Sequence, residues 1–223
     1  MAQALIIGAS RGIGLETTRQ ALEAGHTVRA FARSAADISI ADRKLEKVRG
    51  NALRTSDVTA GVTSMNAVIQ VLGVSLGDLF WPVHVFSDAT RTLIAAMQAQ
   101  GVKRLISVTG FGAGDSRASI DCFQLLPFRF FFGRAYDDKD VQEHLIKDSA
   151  LDWTIVRPGL LTNGRRTGRY KVLKEPSQWR NGTIARADVA DFLVEQIEDR
   201  AYVGKTPVLV YGSADEVRVG HQP

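Results

Sequence analysis

Short apolar runs alternate along this chain with longer amphipathic stretches. ALIIGA (residues 4–9) reads as a buried strand, and GLETTRQALEAG after it as a helix with one apolar face and Gly25 as its stop. HTVRAFARS predicts a second strand, Ala52–Ser56 a weaker third ending at Asp57, and AVIQVLG (67–73) a fourth. FSDATRTLIAAMQAQG predicts a long helix closed by Gly101, and VKRLISVTG a fifth strand. Residues 137–149 predict a helix, DWTIVRP a strand closed by Pro158, DVADFLVEQIED a helix and TPVLVYG a last strand. Such alternation predicts the α/β class: a three-layer, doubly wound, mostly parallel sheet with helices on both faces, in one domain over residues 1–223. The stretches 110–135 and 160–184 exceed ordinary connections and are expected to surround a site as a small substrate cap.

Composition narrows the function classes. The chain has 223 residues and is 45% hydrophobic, enough for one sizeable core. Its one cysteine, Cys122, rules out an intrachain disulfide and a thiolate metal cluster, and suits a reducing compartment. The four histidines show no ligand spacing, so no metal is expected. MAQALIIGAS lacks the basic start and long apolar stretch of a signal peptide. The most apolar segment, Leu125–Phe132, is broken by Pro127 and Arg129 and is too short to span a bilayer. A cytoplasmic protein without a membrane partner is expected.

The net charge is +4 with basic residues spread out, densest at Arg165, Arg166, Arg169, Lys171 and Lys174. Without a helix-turn-helix, zinc-finger spacing or stacking aromatic ladder, this favours a phosphorylated small molecule over nucleic acid. IDCFQLLPFRFFF (120–132) holds five phenylalanines. It predicts a pocket for an aromatic or hydrophobic substrate, a dimer face or a lid hinge, so monomer and homodimer both stay open.

The first strand runs into GASRGIG. Glycines between a first strand and helix have separate tasks: a tight turn, close approach of phosphate to backbone, and close packing of helix on sheet. Gly8, Ser10, Arg11, Gly12, Ile13 and Gly14 therefore predict a dinucleotide cradle, with the pyrophosphate at the helix start. At the end of the second strand, where an NAD site commonly carries a carboxylate, the chain has Arg33 and Ser34. With Arg11 they predict a 2′-phosphate and hence NADP over NAD; a displaced ribose carboxylate at Asp37 is the rival. Asp57 and Val58, after the third predicted strand, are candidates for the adenine, with a helix cap as the alternative. Gly73 is expected beside the adenosine ribose.

Together, GASRGIG, HTVRAFARS, GVKRLISVTG, LDWTIVRPGLLTNG and IARADVADFL resemble the short-chain dehydrogenase/reductase superfamily over nearly the whole chain. The similarity is to its atypical NAD(P)H-binding Rossmann-fold members: NmrA-like regulators, flavin and biliverdin reductases, and sugar-nucleotide epimerases. The resemblance implies a Tyr–Lys pair four residues apart, helped by a Ser or Thr. Here Tyr136 and Lys139 are three apart; Lys139 matches the lysine, Ala135 falls at the tyrosine position, and Tyr136 is displaced by one. Both spacings share a helix face. Ser107 and Thr109 match the carbonyl-orienting hydroxyl, and Pro158, Gly159 and Leu160 the segment beside the nicotinamide. The implied activity is NADPH-dependent hydride transfer to a small carbonyl, quinone or flavin-like acceptor. The alternatives are a non-catalytic NADP(H) sensor of the NmrA-like type and a sugar-nucleotide epimerase or dehydratase.

Overall fold

The computed structural model describes residues 1–73, 84–114, 116 and 137–212. Its main sheet has eight strands: β1 (Gln3–Ile7), β2 (Thr27–Ala32), β3 (Leu45–Arg49), β4 (Ala67–Gln70), β5 (Arg104–Val108), β6 (Asp152–Pro158), β8 (Lys171–Leu173) and β10 (Val208–Val210). They lie in the order β3-β2-β1-β4-β5-β6-β10-β8. All neighbours are parallel except β10 and β8. Two short strands, β7 (Leu160–Thr162) and β9 (Thr183–Ala185), pair with each other. The helices are α1 (Gly12–Glu23), α2 (Thr55–Val62), α3 (Val85–Ala99), α4 (residues 137–147) and α5 (Arg186–Glu195). This is a three-layer Rossmann fold.

Strand alternation divides the core. Ala4 and Ile6 of β1, Ile106 of β5 and Val156 of β6 pack with Ile13 of α1 and Val189 and Phe192 of α5. Leu5, Ile7, Val68, Leu105 and Ile155 point the other way, against Val58 and Val62 of α2, Leu93 and Met97 of α3, and Ile146 of α4. Parallel strands covered on both faces need near-continuous apolar sequence, and LII, AVI and LISV supply it.

Two expectations need correction. The third strand is Leu45–Arg49; the predicted stretch 52–56 instead forms a turn and the start of α2. LEKVR lies at the sheet edge, where Glu46, Lys47 and Arg49 stay exposed. Such charges protect an edge strand and mask its pattern. Glu46 also pairs with Arg29 directly opposite on β2, at 2.6 Å. The second is that stretch 160–184, read from the sequence as one long connection without strands of its own, contains β7, β8 and the start of β9. These strands are three residues long each, too short for a readable alternation.

Candidate functional site

Strand order reverses between β1 and β4, the switch point where open α/β sheets form a crevice at the carboxyl ends of their strands. A cleft of about 1130 Å³ lies there. The glycine loop forms its floor. A Cβ on Gly8 would stand 2.1 Å from the Val71 carbonyl oxygen, and one on Gly14 would stand 2.1 Å from that of Gly8. Strand, turn and helix therefore meet at a spacing that only glycine permits. Gly12 has φ +57°, and a Cβ there would meet nothing nearer than 3.8 Å. Its open side faces the cleft.

Helix α1 begins at this point without a side-chain cap and without an acidic residue in its first turn. First-turn N–H groups have no acceptor inside a helix. They and the positive end of the helix dipole are left for an anion. Arg11, Arg33, Lys139 and Arg186 line the same cleft, with Asp88 as the only carboxylate lining it among the described residues. Asp88 is itself paired with Arg91 at 2.7 Å. The cleft is thus a basic cradle with room for phosphate, and its residues fit a dinucleotide.

The first turn of α4 fixes the far wall. Asp138 is buried and accepts from the backbone N–H groups of Phe86 (2.9 Å) and Ser87 (3.3 Å), capping α3 from outside. Asp140 accepts from Gly114 N at 2.6 Å. Lys139 lies between these anchors and donates to the Thr109 carbonyl oxygen. Its ammonium is 5.1 Å from the Phe86 ring centre. Burial pushes this amine down to about 8, while Glu143 one turn later pulls the other way. Glu143 accepts from the Thr109 hydroxyl at 2.8 Å and is ion-paired with Arg157.

Residues 8–200 match the NAD(P)H-binding protein family. The chain belongs to that family. A curated relative of this NAD(P)H-binding protein is an uncharacterized chloroplastic protein of Arabidopsis thaliana, 29% identical over 198 residues, covering 86% of this chain and 70% of the relative. The photosystem II assembly factor Ycf39 of Synechocystis is 24% identical over 91% of this chain, which spans 60% of that protein. Among solved structures, ChuY, an anaerobillin reductase from Escherichia coli O157:H7, is 27% identical, with a TM-score of 0.78 over 93% of this chain and 96% of that one. A short-chain dehydrogenase/reductase from Veillonella parvula in complex with NADP shares the fold, at 14% identity, a TM-score of 0.79 and 99% coverage of both chains. The chain is thus related to NAD(P)-dependent oxidoreductases.

Of the residues singled out in the sequence, Gly8, Ser10, Arg11, Gly12, Ile13, Arg33, Ser34, Gly73, Thr109, Lys139 and Pro158 line the cleft. Others lie elsewhere. Ser107 is fully buried, donating to Gln70 (3.1 Å) and accepting from Gln142 (3.1 Å). Two residues along β5 from Thr109, it faces the same side but sits inside the core. Asp57 is in the first turn of α2, where it accepts from Asn51 N at 2.9 Å, and Val58 is packed in the core. Both were expected at a strand end, but β3 ends earlier, at Arg49.

Gly14 supports the loop from behind. Gly159 is required by Gly182, whose carbonyl oxygen would lie 2.3 Å from a Cβ. Leu160 is 70% exposed, and its neighbour Leu161 faces the cleft instead. Asp37 does not line the cleft. Tyr136 and the phenylalanine-rich stretch lie outside the described residues.

Sequence reasoning missed several wall residues. Asn51 and Leu53 follow the observed β3, at and within the stretch where the strand had been expected. Arg186 sits almost at the far end of the chain from the glycine loop it faces. Asp138 and Glu143 carried one available signal: acids one residue before and one helical turn after a lysine.

Proposed function

We propose that this chain is an NADPH-dependent oxidoreductase that passes a hydride to a small carbonyl, quinone or flavin-like acceptor. One observation carries the reading: the glycine loop and the pair Thr109–Lys139 line one continuous cleft. NADPH, when bound, supplies the hydride. Gly8 to Gly14 and the uncapped start of α1 would hold its pyrophosphate. Arg33, Ser34 and Arg11 would hold the 2′-phosphate, and this preference for NADPH over NADH is supported by the lack of a lining carboxylate near β2. Asn51 and Leu53 would flank the adenine in place of Asp57 and Val58.

Lys139 would hold the nicotinamide ribose and keep positive charge beside the reacting carbonyl. Pro158 and Leu161 would close the nicotinamide side. Tyr136, by its spacing to Lys139, is the proposed proton donor where the acceptor needs one. Stretches 110–135 and 160–184 would cover the acceptor. An apolar, planar acceptor suits the phenylalanines of the first stretch, and the likeness to an anaerobillin reductase supports the same class. The single cysteine supports a cytoplasmic setting.

A second reading, an NADP(H) sensor without turnover, draws on one contact. The Thr109 hydroxyl donates to Glu143 rather than into the cleft. The deciding experiment is steady-state oxidation of NADPH and NADH against quinones, free flavins, aromatic aldehydes and an anaerobillin-type acceptor, with Tyr136→Phe and Lys139→Met in parallel. Turnover preferring NADPH and reduced at least tenfold in Lys139→Met supports the enzyme. Loss in Tyr136→Phe assigns the proton to that phenol. Tight NADPH binding with no turnover across the panel favours the sensor.

A further inference from the structure

We propose that Arg186 is a ligand of the cofactor's pyrophosphate, so that the C-terminal half of the chain grips what the N-terminal glycine loop cradles. The inference rests on the cofactor reading above. Arg186 is the first residue of α5, yet its side chain reaches across to the start of α1: its Nε lies 3.8 Å from where a Cβ on Gly12 would be. The side chain lines the same cleft as Gly8, Ser10 and Gly12.

The placement is built rather than incidental. Gln20, in the second half of α1, is buried and donates to the Ala187 carbonyl oxygen at 2.8 Å, tying α1 to the start of α5. Asn163, just past β7, accepts from Arg186 Nη1 at 2.7 Å and turns the guanidinium toward the loop. The Ala185 N–H donates to the Tyr211 hydroxyl at 3.1 Å, fixing the backbone just before it.

Electrostatics point the same way. An arginine at a helix N-terminus faces the positive end of the dipole and is disfavoured there. Here Arg186 begins α5 and Arg11 precedes α1, whose first turn has no acid; the acid in the first turn of α5, Asp188, is buried and accepts from Thr167, Gly168 and Tyr211. Among the described residues no carboxylate pairs with Arg186, and Asn163 is its one hydrogen-bond partner. The α1 dipole and the Arg11 and Arg186 guanidinium groups therefore meet at the cleft without a carboxylate counter-charge among the described residues. An oxyanion supplies it, and a guanidinium donates to phosphate oxygens in pairs. Arg33, on the other side of the loop, stays with the 2′-phosphate.

The two arginines predict different selectivities, because the pyrophosphate is common to both cofactors. The test is fluorescence titration of NADPH and NADH into the wild type, Arg186→Ala, Arg186→Lys and Asn163→Ala, with melting of the ligand-free proteins alongside. The expected result is a loss of about tenfold or more for both cofactors in Arg186→Ala, since a charged hydrogen bond is removed. Arg186→Lys recovers part of it, Asn163→Ala loses less, and ligand-free melting is unchanged.

Wild-type affinity for both cofactors in Arg186→Ala overturns the inference and leaves the cofactor reading standing. A loss confined to NADPH also overturns it, assigning the arginine to the 2′-phosphate. A wild type that binds neither cofactor removes both readings together.

Discussion

Glu143 and Arg157 form an ion pair closed off from solvent, with side chains 1% and 0% exposed and contacts of 3.0 Å (Nε–Oε1) and 2.5 Å (Nη2–Oε2). The pair joins α4 to β6 directly beneath Thr109. The guanidinium lies 4.9 Å over the Trp179 ring, and the loop at Gly114 is pressed so close that a Cβ would stand 2.4 Å from Glu143 Oε2. Helix, sheet and loop thus converge on two opposite charges. Breaking a buried pair from one side costs about 3–5 kcal/mol, whereas exchanging both partners for apolar groups is far milder. Urea denaturation is therefore expected to show a loss of that order for Glu143→Ala. The double variant Glu143→Leu/Arg157→Met should recover much of it. Equal losses in the two proteins would mean that packing, not charge, governs the site.

The glycine loop gives a contrast among residues of one type. Gly8 combines φ +90° with a backbone oxygen 2.1 Å from its would-be Cβ, whereas Gly73 has nothing within 4 Å. Gly8→Ala must move β4 away from β1 or turn the loop over, so a loss of several kcal/mol is expected along with loss of NADPH binding. Gly73→Ala should fold within about 0.5 kcal/mol of the wild type. Paired denaturation and titration curves check both. A stable Gly8→Ala protein that still binds NADPH would show that the close approach is not required.

The parts of the fold visible in the sequence were those held by burial on both faces. β1, β4, β5 and β6 lie inside the sheet and read as apolar runs; β3 lies at the edge with charges outward and its pattern reads seven residues late. That single slip set Asp57 and Val58 at a strand end, whereas they lie on α2, and passed over Asn51, which lines the cleft. The glycine loop was legible because its chemistry is local: strand, turn and helix start within a dozen residues. Asp138, Glu143 and Arg186 were not, because each acts on a partner far away in sequence: Phe86, Arg157 on another strand, and the loop at Gly12. Local pattern cannot report such pairings.

Ser107 and Thr109 separate a structural hydroxyl from a candidate functional one. Ser107 sits in a buried network with Gln70 and Gln142, and Gln70 also donates to Thr90 at 3.0 Å. Ser107→Ala removes one hydrogen bond each from Gln70 and Gln142, which still bond to each other at 3.2 Å, and is expected to cost about 1 kcal/mol of stability. Its turnover per folded molecule should be unchanged. Thr109→Val removes the hydroxyl at the cleft and its bond to Glu143. Turnover should fall about tenfold or more. Active-site-normalised kinetics beside denaturation would reverse the assignment if Ser107→Ala were the slower enzyme.

Arg33 is exposed at the cleft mouth and, among the described residues, has no carboxylate partner. Arg33→Ala is expected to lower affinity for NADPH about tenfold or more while leaving NADH nearly unchanged, since a charged contact to a phosphate is lost. Arg33→Glu should go further and favour NADH, because its carboxylate repels a 2′-phosphate and accepts from ribose hydroxyls. Dissociation constants for the two cofactors give the ratio directly. A ratio unmoved by either change would place the selectivity at Arg11.

Lys139 gives the pH dependence. Its amine is held at about 8 in the folded protein against an ordinary lysine's 10.5, chiefly by burial. A lysine lowered in this way binds fewer protons folded than unfolded between those two values. Stability must therefore rise with pH across that window, and the cost of the buried ammonium is fully present below it. Relative to Lys139→Met, the wild type is expected to gain about 1–2 kcal/mol between pH 7.5 and 9.5. The difference should stay flat from pH 6 to 7. NADPH affinity should run the opposite way, falling as the ammonium is lost above about pH 8 in the wild type and staying level in Lys139→Met. Urea curves and titrations at matched pH read both. A stability difference that ignored pH would mean that the amine keeps its proton at all these values, held by Glu143 and the Thr109 carbonyl more strongly than burial opposes it.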